Sequence, residues 1–262
     1  FFGISEGGYG SQRLAAFYAD YLAGAGPMAG GEPLRNAPME NVANIAFSLR
    51  TGALDDAFYR NKLTQKALEV ADELQKQHPG YYNHFIEVIE GEYHSTIDYR
   101  PTTPWLAEYT RDPHPDYFFW ENYDMYGGRR TGFYNLRVIE PSLTNDNQGR
   151  ACYEMTREGN TVTLDVKKVT YTTVYAPSGI EIDFTKKYET ITKGKVRLYL
   201  NEKEYDLTQP VKVVLNGTEI FNGMVGTNLK TMVESCAYYF DPERLFPAAI
   251  DIDIEEMSAT PT

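Results

Sequence analysis

The chain has 262 residues and a formal net charge of −12, with 42% hydrophobic and 24% charged residues. That balance fits an ordinary globular protein; it argues against sequence-independent binding to nucleic acid, whose phosphates need a basic face, and no apolar run approaches a bilayer-spanning length. Two units, each with its own core, are expected from the length, and the two cysteines, Cys152 and Cys236, are too few for a disulfide framework and lack metal-ligand spacing, so they either pair or stay free. Twenty-one tyrosines suit strands and carbohydrate contact alike, and burial in strands is the plainer account.

The chain opens on Phe1-Phe2-Gly3, with no initiator Met and no leader pattern. It is therefore expected to be continued upstream by another part of the same protein. Gly3-Ile4-Ser5-Glu6-Gly7 fits the G-x-S-x-G elbow, in which a sharp strand-to-helix turn lifts a serine hydroxyl out of a sheet, and Gly8 extends the clearance. Leu14, Phe17, Tyr18, Tyr21 and Leu22 predict a helix over 11–25, stopped by Gly24 and Gly26. A Gly- and Pro-rich loop through Pro38 leads to an apolar run, 42–49, that reads as a buried strand. Leu63, Ala67, Val70, Ala71 and Leu74 predict a second helix over 61–77, ended by Pro79-Gly80. A strand over 85–89, a loop through His94 and a short helix opened by Pro104 follow. Strand and helix alternate here, the signature of a parallel sheet with crossover helices.

At Asp112-Pro113-His114-Pro115-Asp116 the texture changes, which places one domain at 1–111 and another at 116–262. Alternating stretches over 117–123, 132–139, 161–174, 195–200 and 211–215 predict an all-β, sandwich-like domain. Asn216-Gly217 between apolar strands predicts a type I′ hairpin, with positive φ at both residues. A helix over 229–239 and a last strand over 248–254 precede an end expected to fray.

A serine of ordinary acidity needs a base to take its proton, and that base needs a carboxylate to fix its tautomer. The sequence supplies Ser5, then Asp55 three residues after Gly52, then His94 three residues after Gly91, each in a loop that follows a predicted strand. This is the chain order of the α/β-hydrolase triad. Asp56 competes with Asp55 and His84 with His94, but His84 falls at the start of a strand; His78 and His114 read as surface residues. The N–H of Glu6 is the natural oxyanion donor, and a second donor would come from a loop after an earlier strand.

Gly3-Ile4-Ser5-Glu6-Gly7-Gly8, Gly52-Ala53-Leu54-Asp55-Asp56 and Gly91-Glu92-Tyr93-His94 resemble the esterase, depolymerase and dienelactone-hydrolase-like branch of the α/β-hydrolases over roughly the first 110 residues. The run from Tyr205 to Val213, with Asn216-Gly217 and Phe221-Asn222-Gly223, is similar to the β-rich C-terminal region of uncharacterised bacterial hydrolases. The resemblance implies hydrolysis of a small-molecule or polymeric ester through an acyl-enzyme, with Ser5 as nucleophile, His94 as base and acid, and Asp55 orienting His94. It implies that 1–111 is the C-terminal part of a catalytic domain whose earlier strands and second oxyanion donor lie upstream of Phe1, so that activity is expected to require that upstream part. It implies no metal and no cofactor, and a periplasmic or secreted location in bacteria. Alternatives are a serine peptidase of the same fold and an inactive binding or scaffold protein that engages its partner through tyrosines and Trp120.

Overall fold

The computed structural model describes residues 1–262 and shows a mixed α/β protein with more strand than helix. It divides into two units, Phe1–Asp112 with Tyr171–Lys186, and Pro113–Thr170 with Lys187–Thr262. The first runs β1 (Phe2–Ile4), α1 (Glu6–Phe17), β2 (Gly24–Met28), β3 (Ala46–Gly52), α2 (Arg60–Gln77), β4 (His84–Ile89) and α3 (Thr102–Leu106). Its strands form one parallel sheet in the order β1-β2-β3-β4. Parallel neighbours need crossovers; α1 supplies the first, packing on β1 and β2, and α2 the last, packing on β3 and β4. All seven residues of β3 are buried, as expected of an inner parallel strand covered on both faces.

Two expectations are corrected in this unit. The helix expected over 11–25 is α1, which ends at Phe17, and β2 lies where a loop was expected. The glycines that read as stop signals are what let β2 fit its neighbours: a Cβ at Gly24 would lie 2.9 Å from the Ala46 carbonyl oxygen, and one at Gly26 would lie 2.7 Å from a Thr102 methyl. The strand expected from Val42 starts at Ala46, because Met39–Val42 closes a 3₁₀ turn first.

The second unit holds β5 (Tyr117–Asn122), β6 (Gly132–Phe133), β7 (Leu136–Glu140), β8 (Arg150–Glu158), most of β9 (Thr161–Tyr175), the end of β10 (Glu181–Thr190), β11 (Lys195–Leu200), β12 (Val211–Leu215), β13 (Thr218–Gly223), α4 (Leu229–Tyr239), β14 (Ala248–Asp253) and β15 (Ser258–Pro261). One sheet runs β13-β12-β9-β8-β5, with β10 also on β9; the other runs β15-β14-β11-β7-β6. Aromatic side chains join them, with Trp120 stacked on Phe133 at 5.5 Å and Phe118 on Tyr134 at 5.3 Å. Trp120 is 2% exposed, so it serves this core and offers no binding face.

Other differences have local causes. The strand expected over 132–139 breaks into β6 and β7 at Tyr134, whose φ is 49°. The chain end expected to fray is β15, paired with β14. His114, expected on the surface, lies 3.4 Å from Glu204 and edge-on to Phe246. Neither cysteine is in a disulfide. The hairpin turn has φ of 47° at Asn216 and 83° at Gly217, as a type I′ turn requires.

Strands β9 and β10 run on beyond the second unit as a two-stranded arm, Tyr171–Lys186, that belongs to the first. Lys186 Nζ sits 2.7 Å from Glu40 Oε1 with both side chains mostly buried, and Lys66 Nζ sits 2.7 Å from Asp183. The hydrogen bond from Lys66 holds the Asp183 carboxyl below its ordinary value of 3.8. A carboxyl whose pKa is lowered by folding contributes its stability above the unfolded value and loses it as pH falls through the folded one, so this clamp is intact at neutral pH and opens in acid. Lys186→Met would leave the Glu40 carboxylate without this cation, at a cost of about 1 to 3 kcal/mol. The expected outcome is faster proteolytic cleavage at the arm tip, 176–180, than in the unaltered protein.

Candidate active site

Ser5 joins β1 to α1 with φ 58° and ψ −116°, a conformation that is strained for any residue with a side chain. Backbone bonds hold it there: Ser5 N–H donates to the Met28 carbonyl at 2.9 Å, and Tyr9 N–H donates to the Ser5 carbonyl at 3.1 Å. The glycines around it have unequal duties. A Cβ on Gly3 would lie 2.3 Å from the Gly7 carbonyl oxygen, and one on Gly8 would lie 2.4 Å from the Met28 carbonyl oxygen, whereas one on Gly7 would meet nothing within 4 Å. The close approach of helix to strand thus rests on Gly3 and Gly8, and the last glycine of the five-residue motif is sterically dispensable.

Asp55 and His94 lie in the loops after β3 and β4, which are tied together. Leu54 N–H donates to the Glu92 carbonyl at 3.0 Å and Ala53 N–H to the Ile89 carbonyl at 2.8 Å, and Gly52 allows this approach because a Cβ there would lie 2.3 Å from the Glu92 carbonyl oxygen. The result brings together all three residues singled out from the sequence. His94 Nδ1 is 2.6 Å from Asp55 Oδ2, and His94 Nε2 is 3.0 Å from Ser5 Oγ. An ionised carboxylate only accepts hydrogen bonds, so Nδ1 carries the proton and Nε2 presents its lone pair to the serine hydroxyl. Asp55 is 3% exposed, while the His94 side chain is 37% exposed and open to an incoming molecule. The Glu6 N–H is the first amide of α1, and first-turn amides have no acceptor within their own helix.

The competing residues are placed elsewhere. Asp56 is exposed. His84 Nδ1 lies 2.8 Å from the Tyr82 carbonyl oxygen and Nε2 lies 3.3 Å from Asp72.

Two supporting residues escaped the sequence reading. Arg60 Nη1 donates to Asp55 Oδ1 at 2.8 Å, which leaves Oδ2 for the histidine. The available signal was a cation in the first turn of α2, where the helix dipole disfavours one. Tyr99 Oη donates to the His94 carbonyl at 3.3 Å and braces the histidine loop; burial raises the Tyr99 pKa, so the hydroxyl keeps its proton. Arg60→Met would strand Asp55 Oδ1 in a buried position and is expected to cost about 1 to 3 kcal/mol in stability, read as a lower denaturant midpoint.

Beside Ser5 opens a cleft of about 600 Å³, lined among others by Glu6, Tyr9 and Phe58 and, from the arm, by Tyr175 and Ile180. No group of His, Cys, Asp and Glu side chains is arranged to hold a metal ion, and no helix is long and apolar enough to cross a membrane. No family model matches the chain, and no curated protein is similar to it in sequence. The functional reading therefore stands on the geometry of Ser5, His94 and Asp55.

Proposed function

We propose that this protein is a serine hydrolase that cleaves carboxylic esters through an acyl-enzyme. The observation that carries the reading is the continuous hydrogen-bonded chain from Ser5 Oγ through His94 to Asp55, with Arg60 behind it. The parallel sheet, the strained serine at its strand-to-helix turn and the order Ser, Asp, His support an α/β-hydrolase catalytic unit, and the two contacting antiparallel-rich sheets support a β-sandwich-like second unit.

The chemistry follows from the proton positions. Ser5 Oγ attacks the ester carbonyl carbon as its proton passes to His94 Nε2; the carbonyl oxygen becomes an oxyanion facing the Glu6 N–H. Asp55 stabilises the imidazolium through Nδ1–H without taking its proton. Collapse of the tetrahedral species breaks the bond to the leaving oxygen, which takes the proton from Nε2 and leaves as an alcohol. Water then repeats the sequence on the acyl-serine, releasing the acid and restoring Ser5.

Asp55→Asn keeps the shape but offers an amide N–H that can favour the wrong imidazole tautomer. A fall in kcat of about 10³ to 10⁴-fold is expected, with KM little changed. The reading is tested with 4-nitrophenyl esters of short acids: turnover by the full chain that falls by about 10³-fold or more in Ser5→Ala supports it, and equal turnover by both proteins overturns it.

A further inference from the structure

Charge is distributed unevenly around the cleft. Both arginines that line it are engaged, Arg60 by Asp55 at 2.8 Å and Arg13 by Glu32 at 2.9 Å. The carboxylates of Glu6 and Glu181 line the same cleft, with Arg35 3.9 Å from Glu181. Glu32 is the decisive residue. Its side chain is 1% exposed; Oε1 accepts from Arg13 Nη2 at 2.9 Å and from Asn36 Nδ2 at 2.6 Å, while Oε2 has no partner. A buried carboxylate oxygen without a donor is costly, and folded proteins keep such a group where something else completes it.

The position of Glu32 is also built. Its N–H donates to Gln12 Oε1 at 3.0 Å, and Gln12 Nε2 donates to its carbonyl at 3.2 Å, so both backbone groups are clamped to α1. The preceding residue, Gly31, has φ 150° and lies so close to the start of α2 that a Cβ would be 2.7 Å from Arg60 Cα. An acid fixed this firmly in the wall of the cleft that Ser5 also lines, with one oxygen unmet, suits a hydrogen-bond donor that carries positive charge. Burial also raises the Tyr9 pKa against the pull of Arg60, so a neutral hydroxyl is a further polar group in the wall.

We propose that the cleft selects substrates whose acyl group carries a primary ammonium, received by Glu32 with Glu181 of the arm contributing. The methylenes between the ammonium and the carbonyl lie along Tyr9, Phe58, Tyr175 and Ile180. The arm is then a determinant of specificity: it brings an apolar wall and a carboxylate to a site whose nucleophile comes from the sheet. This inference rests on the serine-hydrolase reading for the position of the carbonyl, but the charge preference can be read without turnover.

The test uses 4-methylumbelliferyl esters in isosteric pairs, glycine against propanoate and 6-aminohexanoate against heptanoate. In the unaltered full chain, kcat/KM is expected to favour the ammonium ester by about 10-fold or more in at least one pair. In Ser5→Ala, titration calorimetry with the same esters is expected to give the same order in Kd. Glu32→Gln should bring both ratios close to one; should that variant fail to fold, Glu181→Gln, on the arm, should reduce them about 3-fold. Equal or better performance of the neutral ester in both pairs, or no binding of any ester to Ser5→Ala, overturns the proposal. Preferential binding of an ammonium ester without turnover in the unaltered protein upholds the cleft's charge selectivity while refuting hydrolysis.

Discussion

His94→Ala is expected to reduce ester hydrolysis by about 10³-fold or more, because the serine then has no base within reach for its proton and the leaving oxygen has no acid. The geometry makes the effect specific. Nε2 lies 3.0 Å from Ser5 Oγ while Nδ1 is held at 2.6 Å by Asp55, and the other base weighed from the sequence, His84, is engaged with Tyr82 and Asp72. His84→Ala should therefore leave kcat within a few-fold of the original. Residues that act as one unit are strongly non-additive, so Ser5→Ala/His94→Ala should be no slower than Ser5→Ala alone. Steady-state kinetics of the three variants checks this; independent, multiplying losses would mean that the two side chains do not act together.

Gly8→Ala is expected to cost about 3 kcal/mol or more in stability, and Gly7→Ala to cost nothing or to stabilise slightly. The two glycines are adjacent in one helix, yet a Cβ on Gly8 would lie 2.4 Å from the Met28 carbonyl oxygen, and one on Gly7 would meet nothing within 4 Å. Intruding on backbone forces the helix away from β2, since neither partner has a rotamer by which to yield. At the open site, alanine is the better helix former by about 1 kcal/mol. Because Ser5 depends on its bond to the same Met28 carbonyl, Gly8→Ala should lose activity in whatever fraction remains folded. Urea denaturation of the pair reads the difference directly, and similar midpoints would contradict this account of the turn.

The candidate site was legible in the sequence because its three residues sit at positions that local pattern marks: a glycine-flanked serine before a helix, and an acid and a histidine shortly after strand-like runs. β2 was not legible. Gly24, Gly26 and Pro27 are poor strand formers, and the strand exists because β1 and β3 pair with it on either side and Thr102 and Leu106 crowd its glycines. β8 was missed for another reason: Arg150 to Tyr153 are all buried, so no alternation marks them. The alternation over 161–174 correctly pointed to β9, but a local pattern cannot say that its end belongs with the first unit. That assignment depends on Lys186 meeting Glu40, 146 residues away in sequence, and on Lys66 meeting Asp183. Arg60 was likewise hidden, since its role as a partner of Asp55 emerges only when the loop folds back onto the start of α2.

The most direct measurement is labelling of the full chain with a fluorophosphonate, read by intact mass and by mapping of the modified peptide. Such probes modify a serine whose hydroxyl has been activated by a neighbouring base. The account predicts one adduct per chain, on Ser5, absent in Ser5→Ala and slowed by about 10³-fold in His94→Ala. A folded protein that includes the upstream part expected from the sequence and takes up no label, or takes it up at another residue, would contradict the assignment of Ser5 as an activated nucleophile.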